Sequence, residues 1–213
     1  MRILVACEFS GTVRDAFAAR GHDAWSCDLL PSETPGNHYQ GELQHFLTKR
    51  NTPIFDLMIA HPPCTDLAVS GSRWFKGKAA EQRVALEFVE WLMVGQYVNI
   101  PRICIENPVS IISSRIRKPD QVIQPHYFGD KAFKATCLWL KGLRPLMRTH
   151  HLDLPEKDTQ DHREWSFIHR MAPGPNRAKE RARTFHGTAN AMAEQWGVQE
   201  DALDSPKVQP RLW

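Results

Sequence analysis

The sequence predicts an α/β fold, a mostly parallel sheet with flanking helices, and three observations lead to it. Short apolar runs, RILVAC (2–7), IFDLMIA (54–60) and RICI (102–105), read as buried strands. They alternate with segments of helical period, which implies a parallel sheet with right-handed crossovers. Polar clusters fall at the carboxyl ends of the strands: EFSG (8–11), Asp28, HPPC (61–64) and ENP (106–108). Ligands bind at those ends in such sheets, so four clusters there read as a site.

The elements follow in order. After the first strand, FSGT is a turn, and TVRDAFAAR (12–20) is a short amphipathic helix ending at Gly21. HDAWSCD is a second strand closing at Asp28, and PSETPGNHYQG (31–41) is a loop. Residues 78–97 carry a helical period through Val84, Leu86, Phe88, Trp91 and Leu92. KATCLWL (134–140) reads as a further strand, residues 144–180 as irregular, and AMAEQW (191–196) as part of a final helix. The expected division is a core over 1–140, a short irregular segment over 141–185, and a helix over 186–213 that returns to the core.

Bulk properties narrow the class. A chain of 213 residues fits one domain and buries roughly 70% of its unfolded surface. Its composition, 42% hydrophobic and 24% charged, is ordinary for a globular protein, and a net charge of +3 does not by itself announce nucleic acid. No apolar run approaches the ~20 residues of a membrane span, so no membrane partner is expected. No signal peptide is expected either, because the chain enters a strand at once. Five cysteines without a C-x-x-C pair point to reduced thiols in the cytoplasm, not to disulfides or zinc. His150, His151, His162 and His169 lack a metal-ligand spacing.

The clusters carry the chemistry. A strand, EFSG and a helix build a glycine turn over which an adenosyl cofactor can lie. Gly11 there permits close approach, or simply makes the turn. Asp28 is placed to bind ribose hydroxyls, or to cap its own turn. The missing further glycines argue against a nicotinamide cofactor or a nucleoside triphosphate. In HPPC, two prolines hold the next side chain rigidly in a cleft. Cys64 there reads as a nucleophile that needs a lowered pKa or a base, with His61 near enough to help; the other cysteines read as buried filler. Glu106 ends an apolar strand, where an unpaired carboxylate is expensive. It reads as an acid that gives a proton to a substrate nitrogen, or as a helix cap or partner of Arg102.

Together these residues resemble the cytosine-C5 DNA methyltransferases, and more closely the small phage-type members. EFSG resembles the first motif of that family and CDL (27–29) the second. Gly41-Glu42-Leu43 resembles the third, DLMIAHPPCTDLAVSG (56–71) the fourth, ICIENP (103–108) the sixth, and HGTANAMA (186–193) the last. The resemblance implies the Rossmann-like S-adenosylmethionine-dependent methyltransferase fold with a reduced target-recognition region. It implies that Cys64 adds to C6 of cytosine while Glu106 protonates or hydrogen-bonds N3. Cofactor contacts would come from Glu8, Phe9, Ser10, Gly11, Asp28, Leu29, Glu42, Pro62 and Asn190. DNA contacts would come from Arg73, Arg115, Arg117 and Lys118.

Four departures stand beside the matches. Val13 replaces a second glycine, Thr65 a glutamine and Pro108 a valine, and Lys134-Ala135-Thr136 is at most a degenerate eighth motif. The implied partner is DNA, whose cytosine is flipped out or single-stranded. The protein itself is expected as a monomer or homodimer in a bacterial cell or phage-infected host. Arg177, Lys179, Arg181 and Arg183 form a second basic cluster, either DNA-facing or a solvated face. Three rivals remain: an exocyclic-amino methyltransferase, which wants an aromatic at position 64; a catalytically inactive DNA-binding relative; and an enzyme for free nucleotides.

Overall fold

The apolar runs pair side by side because each is hydrophobic on both faces. The computed structural model describes residues 1–94 and 99–198. Its strands are β1 (Arg2–Ala6), β2 (Asp23–Asp28), β3 (Asn37–Gln40), β4 (Leu57–Ala60), β5 (Arg102–Pro108), β6 (Gln121–Ile123) and β7 (Thr136–Lys141). They form one seven-stranded sheet in the order β3-β2-β1-β4-β5-β7-β6. β1 to β5 pair in parallel, and β7 runs antiparallel to both β5 and β6. This is the predicted α/β fold, a mostly parallel sheet with flanking helices.

The strand period of two divides the core into two layers. Ile3 and Val5 of β1 face α1 (Thr12–Ala18) and α8 (His186–Trp196), where Val13, Phe17, Met192 and Trp196 pack. Leu4 and Ala6 face the other layer, with Phe46 of α2 (Leu43–Thr48) and Val89 and Leu92 of α3 (Ala79–Val94). Among the described residues no helix is long and apolar enough to cross a membrane.

Several elements differ from the sequence reading, each for a physical reason. The stretch read as a loop (31–41) contains β3, an edge strand that pairs with β2 from Trp25↔Asn37 to Asp28↔Gln40. Its residues, NHYQ, offer no apolar pattern, so backbone pairing alone defines it. The three-residue β6 is likewise too short to announce itself. β4 begins at Leu57 instead of Ile54, because Ile54 is 77% exposed and Asp56 turns to accept the Arg2 backbone N–H at 2.7 Å. β5 extends through Glu106 to Pro108, since β7 pairs with it that far.

The irregular stretch holds the short helices α5 (Gln160–Trp165), α6 (Phe167–Arg170) and α7 (Arg177–Ala182), too short to show a period. α8 begins at His186, where the expected C-terminal helix starts. Residues 95–97 of the predicted long helix, and 199–213 of the predicted C-terminal segment, lie outside the described residues.

Two buried charges set the turn after β1. Glu8 accepts the N–H groups of Val13 at 2.7 Å and Arg14 at 3.2 Å, satisfying open donors at the start of α1. Arg14 is fully buried. Its guanidinium donates to Ser26, Ser32, both Thr34 oxygens and the Pro35 carbonyl, and meets the Asp15 carboxylate at 2.8 Å. One side chain thereby ties α1 to β2 and to the loop over 32–35. Gly11 sits against this hub with φ +77°, where a Cβ would collide with Thr34 Oγ1 and lie 2.6 Å from Arg14 Nη2.

Gly11→Ala is therefore expected to cost more stability than Gly21→Ala. Gly21 has a similar φ of +80° but open space around it. Gly21→Ala should lose about 1–2 kcal/mol from backbone strain, and Gly11→Ala roughly 1–3 kcal/mol more from overpacking. Urea midpoints at constant slope measure both, and equal losses would remove the close contact as a constraint.

Candidate functional site

The order of the sheet creates a crevice between β1 and β4. The chain leaves β1 toward β2 on one side and β4 toward β5 on the other, the point where such sheets bind ligands. Cys7 turns the chain out of β1 with a left-handed φ of 59°, and Glu8 follows. Across the crevice, His61 donates its backbone N–H to the Ala6 carbonyl at 2.9 Å. Pro62 and Pro63 then direct Cys64, whose carbonyl accepts the N–H groups of Leu67 and Ala68. Buried Asn107 locks this loop by donating Nδ2 to the Pro62 carbonyl at 2.9 Å.

A cavity of about 80 Å³ opens here, and Cys64, Glu106, His61, Lys134 and Arg181 all line it. They come from four places in the chain. The antiparallel register of β5 and β7 sets Pro108 opposite Thr136, which carries Lys134, just before β7, to the end of β5. Lys134 is 9% exposed and donates Nζ to the Arg183 carbonyl at 3.0 Å. His61 Nδ1 meets Glu106 Oε2 at 2.9 Å.

Charge decides how these groups stand at rest. Burial raises the Cys64 thiol, and the Glu106 charge raises it further; Lys134 and Arg181 pull it back without cancelling the rise. Cys64 is therefore a thiol at neutral pH. For Glu106, burial pushes the carboxyl up, but the His61 hydrogen bond, Lys134 and Thr136 outweigh it and hold it below its ordinary value. Glu106 therefore rests as a carboxylate, and a proton it gives to a substrate nitrogen must first be taken up. Glu8 goes the other way, raised by burial against the opposing effects of His61 and its two amide donors.

The predicted site residues separate into two sets. Cys64, Glu106, Glu8, Phe9, Ser10 and Pro62 border the cavity. Gly11 does not: the space its missing side chain leaves is taken by Thr34 and Arg14, so its role here is the turn. Asp28 ends β2 as predicted, with Oδ1 accepting the Leu30 N–H at 2.9 Å, outside the cavity wall. Leu29 and Glu42 are exposed beyond it, and Asn190 is exposed on α8, which packs through Ala189, Ala191 and Met192.

None of the four predicted DNA-binding residues borders the cavity. Arg73, Arg115 and Lys118 are exposed elsewhere. Arg117 is held by Asp120 at 2.8 Å and reaches the Leu140 carbonyl, toward the other end of β5. The basic groups at the mouth are Arg181 and Arg183, from the second cluster. The signal for them was present, a run of alternating cations, but only the fold says which cluster faces the site.

No protein-family model matches the chain, and no curated protein matches it. Among solved structures it is similar to an Escherichia coli protein described as a "putative DNA modification methyltransferase encoded within prophage", at 13% identity and a TM-score of 0.47. The match covers 66% of this chain, which spans about half, 46%, of that protein.

α7 and the residues after it are strapped over the turn that follows β1. Arg183 grips Glu33 with two nitrogens at 2.6 and 3.0 Å, and Lys179 meets the same carboxylate at 2.8 Å. Both cations also lie over the Phe9 ring, at 4.8 Å for Lys179 and 5.6 Å for Arg183. These hydrogen bonds from Arg183 and Lys179 depress the Glu33 carboxyl from 4.5 to about 2. A depressed carboxyl contributes stability that is complete above its free value and lost as pH falls through the folded one. The strap is thus expected to hold at pH 5 and above and to loosen between about 4.5 and 2. Amide exchange over 177–184, compared with the Glu33→Gln variant at pH 6, measures this. Equal protection in variant and wild type would show that Glu33 does not hold the strap.

Proposed function

We propose that this chain transfers a methyl group from S-adenosylmethionine to C5 of cytosine in DNA, with Cys64 as the nucleophile that adds to C6. One observation supports the reading above others: Cys64, from the loop after β4, and Glu106, from the end of β5, reach the same small cavity with cationic Lys134 and Arg181 beside them. A thiol, a carboxylate and two cations are what addition to a pyrimidine ring requires: an attacking atom, a partner for the ring nitrogen, and counter-charge for the ring as it gains electrons.

The cofactor would lie along the ends of β1 and β2. The cavity is far smaller than the roughly 300–1,000 Å³ of pockets that enclose a whole ligand, so it suits the reacting ring. Phe9 and Ser10 at its edge, and the Asp28 carboxylate beyond it, offer an aromatic face and polar groups of the kind an adenine and a ribose diol need. When bound, the cofactor supplies an electrophilic methyl group on a sulfonium.

DNA as substrate fits the strap at the mouth. Arg177, Lys179, Arg181 and Arg183 line one short stretch, and Arg181 contributes to the Cys64 surroundings directly. The target base must leave the stack to reach Cys64. Within this chain the 141–185 segment would read the DNA, and a short or relaxed target sequence is expected of it. The setting this implies is the cytoplasm of a bacterial or phage-infected cell.

The test is covalent trapping. DNA carrying 5-fluorocytosine should capture the protein in the presence of cofactor, because fluorine replaces the proton that must leave C5. Cys64→Ser should abolish capture, since a hydroxyl is a far poorer nucleophile than a thiol. Glu106→Gln should slow methylation by roughly 10²–10⁴. Normal turnover by Cys64→Ser would refute the C5 reading in favour of amino methylation. No turnover by wild type on any nucleic acid would favour an inactive relative.

A further inference from the structure

A buried polar atom beside the cavity has no partner among the described residues, and it belongs to His61, to which the proposed function assigns no step. The His61 side chain is 9% exposed, and its Nδ1 is committed to Glu106 at 2.9 Å. Its Nε2 is buried and takes no hydrogen bond among the described residues. Buried ring nitrogens are normally satisfied, so an unpaired one beside a cavity calls for an explanation; Cys64 Sγ does not bond it at rest. Cys64, three residues further on, lines the same cavity. The titratable and charged groups around them are Cys7 and Glu8 after β1, Glu106 from β5, Lys134 ahead of β7, Arg181 from α7 and Arg183 just after it.

We infer that His61 is a catalytic proton shuttle between Cys64 and Glu106, a Cys–His–Glu relay in which Nε2 takes the thiol proton and Nδ1 passes one to the carboxylate. The hydrogen bond to Glu106 makes Nδ1 the N–H nitrogen in neutral imidazole and leaves the lone pair on Nε2. The inference rests on the methyltransferase reading for its substrate, but not for the relay itself.

The step balances. As Sγ bonds to C6, its proton moves to His61 Nε2. The C5=C6 pair shifts to C4=C5, and the C4=N3 pair moves onto N3. His61 gives its Nδ1 proton to Glu106, and the carboxyl gives a proton to N3. The net transfer is one proton from sulfur to N3, with no charge left on the ring. His61 ends with its proton on Nε2, and expulsion of the thiol runs the same path backward and resets the tautomer. A resting Glu106 carboxylate and a resting Cys64 thiol are the states this relay starts from.

Alkylation of Cys64 by iodoacetamide, followed by peptide mass mapping across pH, tests the relay without methyl transfer. Cys7 is separable by mass and is pushed far up by burial, Asp28 and Cys27. Wild type should be alkylated at Cys64 at pH 7, below the ordinary thiol value of ~8.5. The decisive comparison is Glu106→Gln. If Glu106 acts on Cys64 only by charge, removing it lowers the thiol pKa and speeds alkylation at pH 7. If it orients His61, the variant slows alkylation by roughly tenfold or more, the effect of about one pKa unit. His61→Gln should slow it alike. Faster alkylation in Glu106→Gln, or an unchanged rate in His61→Gln, overturns the relay. If either variant fails to melt cooperatively, the wild-type profile decides, and an inflection only at or above the ordinary thiol value of ~8.5 refutes it. The relay profile without methylation of any cytosine substrate would refute the C5 reading and leave the relay standing.

Discussion

The buried charge of Glu106 is the constraint on which the carboxyl edge of the sheet depends. It ends an apolar strand at 7% exposure, where an ion without partners costs several kcal/mol. Its partners come from three directions: His61 from the end of β4, Thr136 in β7, and Lys134 just before it. Each brings a further piece into register. His61 is joined through its backbone to β1, Lys134 holds the carbonyl of Arg183, and Arg183 reaches Glu33 beyond β2. A line of polar contacts thus crosses the crevice at the one place where the strand order reverses.

A second buried network steadies the near side. Glu8 caps α1 from its base and Arg14 gathers the loop after β2, so the turn that borders the cavity is braced by charges pointing away from it. The Glu8 carboxylate is therefore occupied by amides, and the polar group it lends the cavity is its edge. Division of labour between the two acids follows from their surroundings. Glu8 meets backbone donors and is pushed up by burial, while Glu106 meets a histidine and a lysine and is held down.

Much of this was legible along the chain because it is written in local patterns. Buried parallel strands are continuous apolar runs, so β1, β4 and β5 stand out, and polar residues at their ends stand out against them. β3 and β6 do not, since their pairing rests on backbone hydrogen bonds that leave no mark in NHYQ or QVI. Arg14 was invisible for the opposite reason. A charged residue in a short amphipathic helix reads as solvated, and only the loop folded over it makes it the most enclosed cation among the described residues.

The sequence by itself determined the fold class and the pair Cys64 and Glu106, because strand ends converge in a parallel sheet whatever the loops between them do. Tertiary structure decided the rest. It chose Lys134 through the antiparallel register of β7, and the 177–183 cations over Arg115, Arg117 and Lys118 through the path of the strap. It also decided that Glu106 is a carboxylate, since a pKa is set by neighbours distant in sequence. Periodicity reports which face of an element is buried; which charges meet across that buried space is settled only when the elements pack.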